Sequence, residues 1–142
     1  MLSNTRKQAS EQKKLRNGKN NMKVKMIWIP KTGKIETITQ DTNYDKIRQK
    51  LEVRVIDMVS VGESDKNPDI SYDFILDDEG MLVDNPRENI NNFSITGYQM
   101  GVLNQPFFGN ILMCAIDENT GDYSDKFDVY EAKRILKKLW FL

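Results

Sequence analysis

The segment Gly109–Asp117 constrains the fold more than any other. It contains Ile111-Leu112-Met113-Cys114-Ala115-Ile116, six apolar residues in a row. A strand lacking a polar face must be covered on both sides, so this one belongs at the centre of a sheet. The rest of the chain must then supply its neighbours and cover.

The neighbours are legible as short alternating runs. Val24, Met26 and Trp28 alternate with Lys23, Lys25 and Ile27, which predicts a strand. Pro30-Lys31-Thr32-Gly33 is a turn, and Lys34–Gln40 returns as the second arm of a hairpin. Tyr44, Ile47 and Leu51 have helical spacing, predicting a short helix over 43–51 capped by Thr42 or Asp41. Val53–Val61 and Tyr72–Leu76 read as strands. Asp77-Asp78-Glu79-Gly80 reads as a turn with Gly80 at positive φ, and Met81–Val83 as a continuation of the strand past it. Pro86 is placed to start a helix over Arg87–Phe93, and Thr96–Pro106 reads as loop. Near the end, Asp128 and Glu131 form an Asp-x-x-Glu capping box. Val129, Ala132, Ile135, Leu136, Leu139 and Trp140 follow it as one apolar helical stripe, with Lys133, Arg134, Lys137 and Lys138 on the other side. The expected fold is α+β: a mainly antiparallel sheet, short helices and a C-terminal amphipathic helix. Residues 22–142 are expected to be one domain, since 142 residues suit a single core.

Residues 1–21 read differently. They carry Arg6, Lys7, Lys13, Lys14, Arg16 and Lys19 against one acid, Glu11. That leaves 15 basic and 20 acidic residues in 22–142, so a net charge of zero hides an arm of about +5 before a body of about −5. Few apolar side chains lie in this arm, so a flexible basic segment is expected. No apolar run reaches the ~18–20 residues needed to cross a bilayer. The single cysteine, Cys114, fits a reducing cytoplasm.

The chain has no histidine. That removes the usual general base, the Ser-His and Cys-His nucleophile pairs, and a closed Cys/His zinc site. Carboxylate or lysine chemistry remains, and the balance tips toward binding without catalysis or a cofactor. Several groups are candidates. Asp77, Asp78 and Glu79 offer oxygens to a hard cation, or form a solvated turn. Arg87 beside a helix N-terminus at Pro86 would make an anion site, or simply pair with a nearby acid. Phe107, Phe108 and Asn110 offer aromatic faces and an amide suited to a nucleobase, or a packed strand entry. On the terminal helix Lys133 stacks with Lys137, and Arg134 with Lys138. Such pairs can hold a diphosphate or merely solvate a helix face. Arg134 and Lys137 are the first cations expected at a phosphate, with Arg87 next. The basic arm could contact nucleic acid through phosphates, or serve as a solubilising tail.

The order of motifs from Asp77 to Asn110 resembles a small domain family of phages and algal viruses. The shared features are the Asp78-Glu79-Gly80 turn, the Asn85-Pro86-Arg87 segment and the Gly109 that opens a late strand. The family is best known as a domain of unknown function, and the resemblance covers about residues 22–142. More loosely, the chain is similar to the phage anti-Thoeris proteins. The likeness lies in the opening strand Val24-Lys25-Met26-Ile27-Trp28, the acidic turn, the strand after Gly109 and the basic terminal helix. That resemblance implies a small α+β homo-oligomer in the host cytoplasm that sequesters a cyclic ADP-ribose-like signal without cleaving it. The chemistry of the candidate residues, read with this resemblance, sets the expected ligand site at Arg87, Phe107, Phe108, Asn110, Arg134 and Lys137, with no metal. The basic arm departs from a minimal domain of this kind. It motivates the other reading, a viral accessory factor that binds host protein or nucleic acid through residues 1–21.

Overall fold

Five strands hydrogen-bond in the order β2-β1-β5-β4-β3, every neighbouring pair antiparallel. They are β1 (Lys23–Ile29), β2 (Glu36–Asp41), β3 (Ile56–Glu63), β4 (Ile70–Asp77) and β5 (Ile111–Asp117). The helices are α1 (Tyr44–Leu51), α2 (Ser94–Gln99) and α3 (Val129–Lys138), with a 3-10 turn at Pro86–Asn89. The computed structural model describes residues 22–142, so the expected basic arm lies outside the described residues. The fold is α+β, and no helix among the described residues is long and apolar enough to cross a membrane.

The central position of β5 follows from its side chains. Ile111, Met113 and Ala115 point into one core, and Leu112, Cys114 and Ile116 into the other. The first core is closed by α3 through Ala132, Ile135 and Leu136, with Phe127 and Phe141. The second is closed by α1 through Ile47 and Leu51, with Tyr123. Strand β1 also serves both cores, giving Ile27 and Ile29 to one and Val24 and Met26 to the other. The two hairpins, β1–β2 and β3–β4, therefore flank a late strand inserted between them. On the α1 side, Lys50 lies over the Trp28 ring at 4.2 Å, shielding an aromatic near the sheet edge.

Several local expectations are corrected. Helix α1 is capped by Asn43, whose Oδ1 accepts from the amides of Asp45 and Lys46. Asp41 instead accepts from the Asn43 amide, fixing the residue that caps. Met81–Val83 is not strand but an exposed turn and bend. Gly80 does not adopt positive φ. A side chain there would press against the Cβ and carbonyl of Phe108, at 3.0 and 3.2 Å. The helix expected over Arg87–Phe93 is only the 3-10 turn, and Asn85 makes no side-chain cap. Helix α2 starts at Ser94 and runs into the segment expected as loop.

The cause is Asn91. It is buried, and its Nδ2 donates to the carbonyls of Ile29 (3.1 Å), Pro30 (3.3 Å) and Gly109 (3.0 Å). Its Oδ1 accepts from the Phe93 amide, and Ser94 Oγ donates to its carbonyl. These bonds break one expected helix into two short pieces and bind the connection to β1 and β5.

Helix α3 begins as expected, with Asp128 Oδ1 accepting from the amides of Tyr130 and Glu131. The reciprocal half of the capping box does not form. Glu131 turns away to the β3–β4 connection, and the Asp128 amide donates to the Tyr72 hydroxyl. At the other end Trp140 has φ +64° and is 45 % exposed, so it leaves the expected stripe. Phe141 takes its place against Phe74 and Phe107.

Candidate functional site

Four residues of the stretch from Asp77 to Asn110 converge on one cleft. It lies where β4 ends and β5 begins, and has a volume of about 320 Å3. Its walls include Asp77, Asn89, Gly109 and Asn110, joined by Lys31 and Thr32 from the β1–β2 turn and Glu52 from the end of α1. Most of these groups are polar, which suits a hydrophilic ligand.

Asn110 sets the geometry. Its Oδ1 accepts from the Lys31 amide at 2.8 Å, and its Nδ2 donates to the Leu51 carbonyl at 3.2 Å. One amide thus ties the β1–β2 turn to the end of α1 across the mouth of β5. Lys31 is thereby held at the rim, and among the described residues its ammonium has no ion-pair partner. On the opposite wall Asn89 Nδ2 donates to the Gly80 carbonyl at 2.8 Å, while its own carbonyl accepts from the Gly109 amide at 2.6 Å. Gly109 sits at φ +81°, a conformation that lets the chain turn from the cleft wall into β5. Glu52 is in the left-handed region at φ 62°, where its amide closes α1 onto the carbonyls of Arg48 and Gln49.

Asp77 and Glu52 are the two acids of the cleft, against the single cation Lys31. Burial pushes the Asp77 carboxyl above the usual range, the bond from the Glu79 amide pulls it down, and the charges of Glu79 and Asp78 push it up again, with a net rise. Glu79 itself is taken by Arg54. Among the described residues no group of three or more His, Cys, Asp or Glu side chains is arranged to hold a metal.

The expected site residues do not all meet here. Asn110 lines the cleft. Arg87 is exposed on the 3-10 turn, two residues before Asn89. Phe108 is half-buried, bridged to Ile90 and lying against Gly80. Phe107 is partly buried against the core: its ring packs edge-on against Phe74 at 5.5 Å and tilted against Phe141 at 6.4 Å.

Arg134 is at the far end. It pairs with Asp65, in the β3–β4 connection, and lies 3.8 Å from Glu131. That connection joins β4 at Ile70, whereas the cleft lies past Asp77, so a whole strand separates the two. Lys137, one turn further along α3, is exposed. Lys31, Glu52 and Asn89 escaped the sequence reading. The one local hint was the turn at Lys31-Thr32, which places a cation at a strand end.

A second polar cluster surrounds Glu131, which is 3 % exposed. It accepts from Ser64 Oγ (2.7 Å), the Asp65 amide (2.8 Å), the Tyr72 hydroxyl (3.0 Å) and the Lys66 amide (3.3 Å). Burial alone would raise this carboxyl, but the bonds from Ser64, Asp65, Tyr72 and Lys66 together outweigh it and hold it below the ordinary glutamate range. With its acceptor sites filled, Glu131 is a clamp between α3 and the β3–β4 connection. It is not poised to bind a ligand. The chain matches no protein-family model, no curated protein and no solved structure.

Proposed function

We propose that the protein is a non-catalytic binding protein, acting as a homo-oligomer, that sequesters a nucleotide-derived signal of the cyclic ADP-ribose kind. The observation that carries this reading is the convergence of Lys31, Asn89, Asn110 and Asp77 on one polar cleft. A lysine ammonium suits a phosphate, carboxylates accept from ribose hydroxyls, and the Asn89 and Asn110 amides, each already bonded to backbone, keep a second N–H and further lone pairs for a base edge. The volume is at the small end of ligand sites, appropriate to a compact nucleotide. Thr32 is the only hydroxyl in the lining and no imidazole is present to activate it, which favours retention over cleavage. The resemblance of the acidic turn and the late strand to phage signal-sequestering proteins points the same way.

Calorimetry with a cyclic ADP-ribose isomer and with cyclic dinucleotides tests the proposal, followed by mass spectrometry of the released ligand. Wild-type protein should bind one of them and return it intact. Lys31→Glu should abolish binding, because it replaces attraction by repulsion at the rim. Arg134→Glu should leave it unchanged. Loss in Arg134→Glu with retention in Lys31→Glu would move the site to α3. Turnover that disappears in Asp77→Asn would make the protein an enzyme. The second reading, an accessory factor acting through residues 1–21, predicts that deleting those residues abolishes function while nucleotides never bind.

A further inference from the structure

Most of the exposed large apolar side chains among the described residues fall in three segments. The residues are Met81 (53 % exposed), Leu82 (78 %) and Val83 after β4, Tyr98, Met100 and Val102 around the end of α2, and Trp140 and Leu142 after α3. Elsewhere among the described residues only Met22 and Tyr130 are large apolar side chains so exposed.

The three segments are tied together beneath the surface. Gly80 lies against Phe108, Phe107 packs on Phe141, the Phe107 amide donates to Ser94 Oγ, and Gly97 abuts the Leu139 carbonyl. Eight side chains about half exposed, at about 200 Å2 each when fully exposed, present on the order of 800 Å2. That is about what one partner contributes to a standard protein interface.

The charges around this face are divided. The loop following β4 brings the acids Asp84 and Glu88 to one flank, where the exposed Arg87 between them offsets one of the two negative charges. The last turn of α3 brings Lys137 and Lys138 to the other. Asp84, Glu88, Lys137 and Lys138 are all exposed, and none is in an ion pair among the described residues. An anionic lipid surface would be repelled by the acidic flank. A second copy of the chain, related by a two-fold axis through the apolar centre, would set each acidic flank against a basic one.

We propose that this apolar face is the self-association surface of the protein. The inference rests on the homo-oligomeric part of the function proposed above and is independent of the ligand. Two copies meet through Leu82, Met100 and Trp140, with Asp84 and Glu88 of one facing Lys137 and Lys138 of the other.

Sedimentation equilibrium of the full chain tests it. Wild type should dimerise, and Leu82→Glu or Trp140→Glu should weaken the dimer by at least about tenfold. Tyr130→Ser, at the opposite end of α3, should not. The flank reversals Asp84→Lys with Glu88→Lys, and Lys137→Glu with Lys138→Glu, should each weaken association, and all four changes in one chain should restore it. Circular dichroism unchanged from wild type confirms that the variants are folded. A dimer indifferent to these changes would overturn the surface, as would a wild type that stays monomeric. A monomer that co-sediments with phosphatidylcholine–phosphatidylserine vesicles would assign the face to a lipid surface instead. Nucleotide calorimetry on Leu82→Glu keeps the ligand reading separate, since its cleft residues are untouched.

Discussion

Glu131 shows how a residue's surroundings replace the role its sequence context assigns. The Asp-x-x-Glu spacing identifies a helix start, and Asp128 does cap α3. The tertiary structure redirects Glu131 to a more demanding task, accepting four hydrogen bonds in the interior. Glu131→Gln keeps the shape but replaces one acceptor oxygen by a donor facing other donors. It should destabilise the protein by ~1.5–3 kcal/mol at neutral pH, measured by urea unfolding. The pH dependence has a definite sign. A carboxyl held below its ordinary value adds stability that is fully present above the unfolded-state glutamate pKa and is lost as pH falls through the lower, folded one. Wild type should therefore lose part of its advantage over Glu131→Gln on acidification below that ordinary value. An advantage that instead grows toward acid would show the carboxyl to be raised. Asp77 has the opposite sign. Its raised carboxyl costs stability above its ordinary range, a cost often borne by residues of a binding cleft.

Among the elements, α2 was the hardest to anticipate, and tertiary contacts specify it. Ser-Ile-Thr-Gly-Tyr-Gln has β-branched residues and a glycine, so propensity argues against a helix. The helix exists because Asn91 and Ser94 anchor its start and because Gly97 lets it lie directly against the end of α3. A Cβ on Gly97 would lie well inside van der Waals contact distance of the Leu139 carbonyl oxygen, a backbone atom that cannot rotate away. Gly97→Ala should therefore cost ~1–3 kcal/mol despite adding a better helix former. Gly101→Ala makes a useful contrast: it meets nothing within 4 Å and carries only the strain of φ +77°. Thermal unfolding of the two variants checks this, and a stabilised Gly97→Ala would mean that α2 does not approach α3 so closely.

At the scale of the whole sheet, two cores share strands β1, β3, β4 and β5. Leu136 and Ile47 are each fully buried, on opposite sides of the sheet. Leu136→Ala and Ile47→Ala should each cost ~2–5 kcal/mol. Because β5 and β1 give alternate residues to both cores, either loss should lower a single cooperative transition. Two resolved transitions, one sensitive to each variant, would show that the layers unfold separately. The antiparallel sheet, the central β5, the β1–β2 hairpin and the amphipathic α3 were legible from apolar periodicity and turn residues, whereas the β3–β4 hairpin was not: the sequence pointed to a hairpin turn at Asp77–Gly80 instead. The legible features depend on spacing along the chain, and burial enforces spacing strongly. The cleft was half legible. Asn110, and Asp77 in another role, stood out in a segment of recognisable motifs. Lys31, Glu52 and Asn89 did not, since they come from turns and helix ends whose positions the sequence leaves open. Arg134 looked free on a helix wheel, but Asp65, 69 residues earlier, engages it. The sequence by itself determined which segments become strands or the terminal helix and which of their faces are buried, because hydrophobic periodicity is a local record of burial. Only the tertiary structure decided which polar groups meet, because a hydrogen bond or ion pair depends on contacts between residues far apart in the chain, and no local pattern records them.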